Sequence, residues 1–136
     1  MDERASGWDW IGINFDGGGA LMAFRMRDRA GATFWAGGSY REPSGIRSAL
    51  APDQVEFIPL RAWRSPRTGT TYPVAWRVRA GAIEVTIEPL MDDQESDTRA
   101  SVGAVYWEGA VHALRERKPV GRGYLELTGY GQPLRL

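Results

Sequence analysis

The chain has 136 residues, with 17 basic and 17 acidic side chains and therefore a formal net charge of zero. This length predicts one domain with a sizeable core, and the lack of a basic excess argues against nucleic acid as a partner. The sequence contains no cysteine, which excludes disulfides and a cysteine nucleophile. No apolar run is long enough to predict a membrane span, and the acidic start Met1–Arg4 does not resemble a signal peptide, so the compartment stays open.

The first half of the chain alternates apolar and polar residues, which predicts β-strands. A Gly-rich hairpin turn is expected at Asp16–Gly19, and a second turn at Asp28–Gly31. The Pro-, Ser- and Gly-rich segment Arg41–Pro52 is interpreted as a loop, with a short helical turn possible within Arg47–Gln54. The strands predicted in this half are Trp8–Phe15, Ala20–Arg27, Ala32–Tyr40 and Asp53–Trp63.

The second half continues the same pattern. A turn at Lys118–Gly121 is expected to join the last two strands, and the acidic segment Met91–Ser101 is interpreted as a solvated loop. The strands predicted here are Pro73–Arg79, Ala82–Pro89, Val102–Arg117 and Arg122–Tyr130. Eight short strands without a helical period predict an all-β antiparallel barrel or sandwich.

The side-chain period of two also predicts the core. Three tryptophans lie in apolar strand patterns and are expected to be substantially buried: Trp10, Trp76 and Trp107. Five aliphatic residues on alternating positions are expected beside them in the core: Ile83, Val85, Ile87, Leu125 and Leu127.

Several short motifs together resemble one known family. They are Gly7-Trp8-Asp9-Trp10, Phe24-Arg25-Met26-Arg27, Ser65-Pro66-Arg67-Thr68-Gly69, Tyr106-Trp107-Glu108-Gly109 and Gly123–Tyr130. In their order and spacing they resemble the lipocalin-like group of carotenoid 1,2-hydratase (hydroxyneurosporene synthase) and the AttH-type predicted secreted hydrolases. The resemblance implies a lipocalin-like antiparallel β-barrel of about eight strands.

The resemblance also implies an organisation and an activity. Members of this group are built from two lipocalin-like halves, and residues 1–136 resemble the C-terminal half, whose partner would be an N-terminal lipocalin-like domain. The group is often exported. Its aromatic and acidic segment, of the form W-x-D-x-x-W/F, lies just before the motif at Gly7 and is absent from this sequence. The resemblance implies that the parent handles a hydrophobic, isoprenoid-like small molecule. Because the segment is absent here, we expect this chain alone to show no hydratase activity.

Hydration of an isolated alkene needs a proton donor, an aromatic pocket for the carbocation and a placed water. Three carboxyl groups set in aromatic or apolar strands are candidate acids: Asp9, Glu108 and Glu126. Each could instead face solvent or pair with an arginine, since charged residues are rarely buried without a partner. An inward Arg25 or Arg27 could pair with Asp9 or Glu126. Because the period is two, Asp9 and Trp10 cannot both face the interior, nor can Trp107 and Glu108. By the same period, Glu126 and Tyr130 are expected to share one face of the last strand with Tyr124 and Thr128, and so to form an inward polar cluster together or not at all.

The candidate ligand contacts are aromatic or cationic residues on these strands: Trp10, Arg25, Trp76, Trp107 and Tyr130. The tryptophans could equally serve plain core packing. His112 is the lone histidine and is expected at the surface or rim. No metal site, cofactor motif or hydrolase nucleophile elbow is predicted. Three hypotheses stay open: one half of a hydratase- or isomerase-like enzyme, a non-catalytic module for an apolar ligand, or a structural domain that packs on an N-terminal partner.

Overall fold

The computed structural model describes residues 4–131. They form one antiparallel β-sheet of ten strands, and within this range the only helical element is a short 3-10 helix at Pro52–Gln54. No helix in the described range is long and apolar enough to cross a membrane. The strands are β1 (Gly7–Phe15), β2 (Ala20–Arg27), β3 (Thr33–Arg41), β4 (Arg47–Leu50), β5 (Val55–Arg64), β6 (Thr71–Ala80), β7 (Ile83–Pro89), β8 (Glu95–Asp97), β9 (Val105–Arg115) and β10 (Lys118–Leu127).

The sheet brings the two ends of the sequence together. Its order is β4-β3-β2-β1-β10-β9-β7-β6-β5, and β8 pairs separately with β9. The first long strand, β1, therefore pairs with the last one, β10, at the middle of the sheet. β5 also contacts β2 and β3, but no hydrogen-bonded ladder joins these strands in the described part of the chain. The all-β antiparallel prediction is confirmed, whereas the sheet has ten strands rather than eight and is not closed into a barrel by hydrogen bonds.

The differences from the predicted strands are local. The expected loop Arg41–Pro52 contains β4, the expected helical turn within Arg47–Gln54 is reduced to the 3-10 helix, and the expected loop Met91–Ser101 contains β8. Strands of three or four residues show too little alternation to be recognised in a sequence. The last hairpin turns at Glu116 and Arg117, both with positive φ, rather than at Lys118–Gly121. Paired positive φ values are the geometry of a two-residue hairpin turn, which usually recruits Gly or Asn.

One face of the sheet forms the core, and alternate residues point outward. Trp76 and Trp107 are fully buried, with Val85, Ile87, Leu125 and Leu127 in the same cluster and Ile83 packed at its margin. These predictions are confirmed. Trp10 lies on the outer face instead and is half-buried, with its ring folded over Gly12, where a Cβ would collide with the indole. The next residue in each direction, Asp9 and Ile11, faces the core.

Candidate functional site

Asp9 is a buried carboxylate on the side of the sheet that faces the core. It is 0% exposed and lies on β1 between Leu127 of β10 and Arg25 of β2. Arg25 Nε donates to Asp9 Oδ2 at 2.6 Å, and Arg27 Nη1 donates to Oδ1 at 2.8 Å. Because Arg25 and Arg27 are two residues apart on β2, both side chains point to the same face as Asp9. The pairing of an inward arginine with Asp9 is thus confirmed, and it involves both arginines.

Tyr130 completes this cluster from the segment that follows β10. Its hydroxyl donates to Asp9 Oδ1 at 2.7 Å, and the Arg27 guanidinium lies 4.0 Å above its ring. Burial and, as the second cause, the nearby negative charge of Asp9 raise the pKa of the Tyr130 hydroxyl well above its ordinary value. Tyr130 is therefore a neutral hydrogen-bond donor at physiological pH. Arg27 is held further by Thr128, whose carbonyl oxygen accepts from Arg27 Nη2 at 2.5 Å.

Arg25 connects this polar cluster to aromatic rings. Its guanidinium lies 5.2 Å from the ring centre of Trp76 and 6.0 Å from that of Phe57. The two rings meet edge to face, with centres 5.7 Å apart. A guanidinium over an indole face is stabilised by the ring quadrupole, more so when both groups are shielded from water. This corner of the interior therefore combines positive charge with an aromatic wall.

A second buried carboxylate, Glu95 on β8, was not predicted as a site residue. Its side chain is 0% exposed. It accepts hydrogen bonds from Ser65 Oγ at 2.5 Å, Thr68 Oγ1 at 2.6 Å and the Tyr72 hydroxyl at 2.7 Å, with Arg67 Nη2 at 3.3 Å. The expected solvated acidic loop is therefore wrong at Glu95. The donor-rich motif Ser65–Gly69 was a visible signal, but nothing in the sequence indicated which acid, about thirty residues away, it would bind.

The protonation of Glu95 should make stability depend on pH. Burial would raise the pKa of Glu95, but the hydrogen bonds from Ser65, Thr68 and Tyr72 and the charge of Arg67 outweigh it and lower the pKa below its usual 4.5. A lowered folded-state pKa contributes stability that is present above 4.5 and is lost as pH falls through the folded value. We expect Glu95→Gln to flatten the acid limb of the stability profile. Urea unfolding from pH 7 downward measures it, and an unchanged acid limb would contradict it.

Tyr72 and Tyr130 link the two carboxylates. Tyr72 is fully buried, donates to Glu95 and stacks on Trp63, with ring centres 6.3 Å apart. The rings of Tyr72 and Tyr130 meet edge to face at 6.2 Å. Burial and, as the second cause, the hydrogen bond to Glu95 raise the pKa of the Tyr72 hydroxyl as well. One end of the sheet therefore holds two buried carboxylates, each receiving a proton-bearing tyrosine hydroxyl.

The other two predicted acids lie on the outer face. Glu126 of β10 stands directly opposite Glu108 of β9. The Trp8 indole Nε1 donates to Glu126 Oε1 at 2.6 Å. Tyr124, two residues before Glu126, lies on the same face and is 43% exposed. This face therefore presents a carboxylate pair among aromatic side chains.

The predicted site residues thus fall into two groups. Asp9, Arg25 and Tyr130 come together inside, and Trp76 lies beside Arg25. Trp107 also faces inward but is held elsewhere, where its Nε1 donates to the Asp92 carbonyl oxygen at 2.7 Å. The outer group consists of Trp10, Glu108 and Glu126. The expected shared face of Glu126 and Tyr130 is wrong, because the chain leaves β10 after Leu127 and turns Tyr130 inward.

Other features add no further site. His112 is exposed on β9. Within residues 4–131, no group of three or more His, Asp or Glu side chains is arranged to hold a metal ion. Three surface depressions of about 390–450 Å³ lie on the outer face and at the hairpin end, and none of the three is lined by Asp9, Arg25 or Trp76.

Comparison with known proteins identifies the family. The sequence profile of the AttH-like family matches residues 1–130. An AttH candidate from Nitrosomonas europaea, a crystal structure, is 56% identical with a TM-score of 0.90; the match covers 96% of this chain and 40% of that one. Kievitone hydratase from Nectria haematococca shares the fold, with 20% identity and a TM-score of 0.70, over 94% of this chain and 40% of that one.

The comparison also bears on length and on curated relatives. The chain spans well under half of each of these two structures. No curated protein matches it. The profile match over nearly the whole sequence, together with the 56% identity, establishes the relationship. This chain belongs to the AttH-like family.

Proposed function

We propose that this chain is the C-terminal lipocalin-like domain of a longer AttH-like protein that adds water to a hydrophobic, isoprenoid-like small molecule. In this proposal the domain forms one wall of the ligand site. The 40% coverage of both structural relatives supports a longer parent. The name of kievitone hydratase, which shares the fold, supports hydration as the reaction class. The contact of β5 with β2 and β3 supports a sheet rolled towards a lipocalin-like barrel.

The observation that carries the proposal is the buried Asp9 cluster, which adjoins the apolar core. A domain that only needs to fold gains little from a buried ion pair, because the desolvation of the charges offsets their attraction. Perturbed and buried charged groups are instead frequent at functional sites. Here the cluster adjoins Trp76 and Phe57, so charge and aromatic surface face the same interior region.

Within the cluster, the roles we propose follow from hydrogen-bond direction. All contacts to Asp9 come from donors, namely Arg25, Arg27 and Tyr130. Asp9 therefore acts as the acceptor that orients Arg25 and Tyr130. Tyr130 carries the proton and is the group of this cluster best suited to hydrogen-bond a ligand or a placed water. Glu108 and Glu126 are the proposed acids if the ligand lies against the outer face instead.

The test uses the full-length parent, isoprenoid alkenes as substrates and ¹⁸O-labelled water. Hydration should place the label in an alcohol product. We expect Tyr130→Phe, which removes only the hydroxyl, to lower turnover by roughly 100-fold, as the loss of an acid–base group does. We expect this 136-residue chain alone to incorporate no label. Glu84→Gln, at an exposed side chain of β7, is the control and should keep full turnover.

The outcomes separate the possible sites. Loss of turnover with Glu126→Gln but not with Tyr130→Phe would move the chemistry to the outer face. No labelled product from any alkene of the panel would reject hydration of an isoprenoid. Turnover by this chain alone would reject the need for a second domain.

A structural role is the second candidate, and the outer face favours it. Trp35 is 54% exposed and stands opposite the half-buried Met26, which in turn neighbours Trp8. Clustered apolar side chains on a sheet face are typical of surfaces that another domain covers. We propose an N-terminal lipocalin-like domain as that partner. If the domain is only a support, neither Tyr130→Phe nor Glu126→Gln will change the turnover of a stably folded parent.

A further inference from the structure

The indole N–H of Trp76 is a buried donor without an acceptor. Trp76 is 0% exposed, and in residues 4–131 its Nε1 is the one buried side-chain nitrogen or oxygen for which the structure gives no hydrogen-bond partner. Leaving a buried donor unsatisfied costs free energy, so such groups usually have an explanation. The corresponding nitrogen of the other fully buried tryptophan, Trp107, is satisfied by a carbonyl oxygen. The exception at Trp76 therefore points to an acceptor that is not part of the described chain.

The charge beside Trp76 indicates what kind of acceptor this is. The cluster contains two guanidiniums, Arg25 and Arg27, and within residues 4–131 both pair with the same carboxylate, Asp9. Two positive charges and one negative charge leave the cluster with a net charge of plus one, because Tyr130 is neutral. Arg25, which lies over the Trp76 ring, thus brings uncompensated positive charge next to the unsatisfied N–H. Both features favour an anionic oxygen.

The position of Arg25 gives this corner access to solvent. Its side chain is 15% exposed, whereas that of Asp9 is 0% exposed. Arg25 is on β2, and the aromatic rings it covers come from β5 and β6. β2 and β5 touch without a hydrogen-bonded ladder. Parting two strands that share no ladder breaks no backbone hydrogen bonds, so this seam is the least costly entrance to the interior.

We propose that Arg25 and the Trp76 indole N–H together bind the oxyanion of an apolar ligand, of the carboxylate class, that enters between β2 and β5. The aromatic rings of Phe57 and Trp76 would contact the apolar part next to the oxyanion. This inference rests on the interior ligand site of the proposed function and specifies its ligand. It does not require that the ligand be hydrated.

The experiment uses this chain and two probes that differ only in charge: cis-parinaric acid, a fluorescent polyene carboxylate, and its neutral methyl ester. Titration at neutral pH gives a dissociation constant for each. We expect the acid to bind at least about tenfold more tightly than the ester, as a charge-assisted hydrogen bond provides. Equal affinities, or no binding of either probe, would overturn the proposal.

Two variants locate the preference. Trp76→Phe keeps an aromatic ring but removes the N–H, and Arg25→Lys keeps the charge but removes the planar fork. Each should reduce the acid-to-ester ratio. Val78→Ala, a change in the core of the same strand β6, controls for loss of stability and should keep the ratio. Circular dichroism verifies that each variant is folded. A ratio unchanged in both Trp76→Phe and Arg25→Lys would assign the binding elsewhere and overturn the inference.

The result is distinguishable from failure of the proposed function. A preference for the acid that depends on Trp76 and Arg25 supports this inference even if the parent hydrates no alkene. Hydration by the parent without any preference for the acid would leave the reaction standing and remove the oxyanion site.

Discussion

Replacing Asp9 with asparagine is expected to lower the free energy of unfolding by about 3–5 kcal/mol, the usual cost of removing one partner from a buried ion pair. The amide would leave Arg25 and Arg27 facing each other without a counter-charge at a position that is 0% exposed. The NH2 group of asparagine only donates, so it would also face donors from which it cannot accept a hydrogen bond. Equilibrium unfolding in urea measures the change.

The control for Asp9 is an exposed ion pair of the same chemistry. Asp97 bonds to Arg99 at 2.8 Å, but both side chains lie in water at the surface. Asp97→Asn should leave the urea midpoint almost unchanged, because solvent screens such pairs. If Asp9→Asn were as mild as Asp97→Asn, the Asp9 cluster would be solvated and the proposed interior site would lose its anchor.

Replacing Trp107 with alanine is expected to lower the free energy of unfolding by about 3–5 kcal/mol, the range for emptying a large aromatic site in a core. Trp107 is 0% exposed and lies opposite Leu127 of β10 and Glu95 of β8. Its loss would leave a cavity at the junction of these strands. It would also remove the partner of the Asp92 carbonyl oxygen. Chemical denaturation followed by circular dichroism measures the effect.

Trp35 provides the comparison for Trp107, since the same substitution is made in a strand of the same sheet. Trp35 is 54% exposed on the outer face. Trp35→Ala should change the free energy of unfolding by no more than about 0.5 kcal/mol in the isolated chain. A Trp107→Ala effect below about 1 kcal/mol would mean that the core collapses around the missing ring and that this junction is loosely packed.

Much of the fold was predictable because long strands repeat their pattern. β2 and β7 agree with the predicted ranges to within a residue, since eight or seven alternating residues are enough to recognise a strand. β4 and β8 were missed because strands of four and three residues show too little alternation to be recognised in a sequence. The turn at Glu116 and Arg117 was missed because neither residue favours positive φ. There the register of β9 against β10 outweighs local preference.

Several members of the site were predictable, but Glu95 and the arrangement of the site were not. A donor-rich turn at Ser65–Gly69 was visible in the sequence, yet only the packing of β8 brings Glu95 into it. Tyr130 was grouped with Glu126 by extending the strand period, and the structure separates them because β10 ends at Leu127. The alternation of side chains predicts which face a residue occupies only for residues within the strand itself.

The sequence alone places Asp9 and Trp10 on opposite faces of β1, because successive side chains of a strand alternate. It did not determine which of the two faces the core. Hydrophobicity favours burying the tryptophan, and a lone buried carboxylate would be costly. The tertiary structure reversed this preference by pairing β1 with β2, which sets two guanidiniums against Asp9 and compensates its charge. The register of the β1–β2 hairpin sets Arg25 and Arg27 beside Asp9, and the pairing of β1 with the distant β10 brings Tyr130 to it. These partners reach Asp9 only once the strands have paired, so local alternation alone could not show where the charged interior of this protein lies.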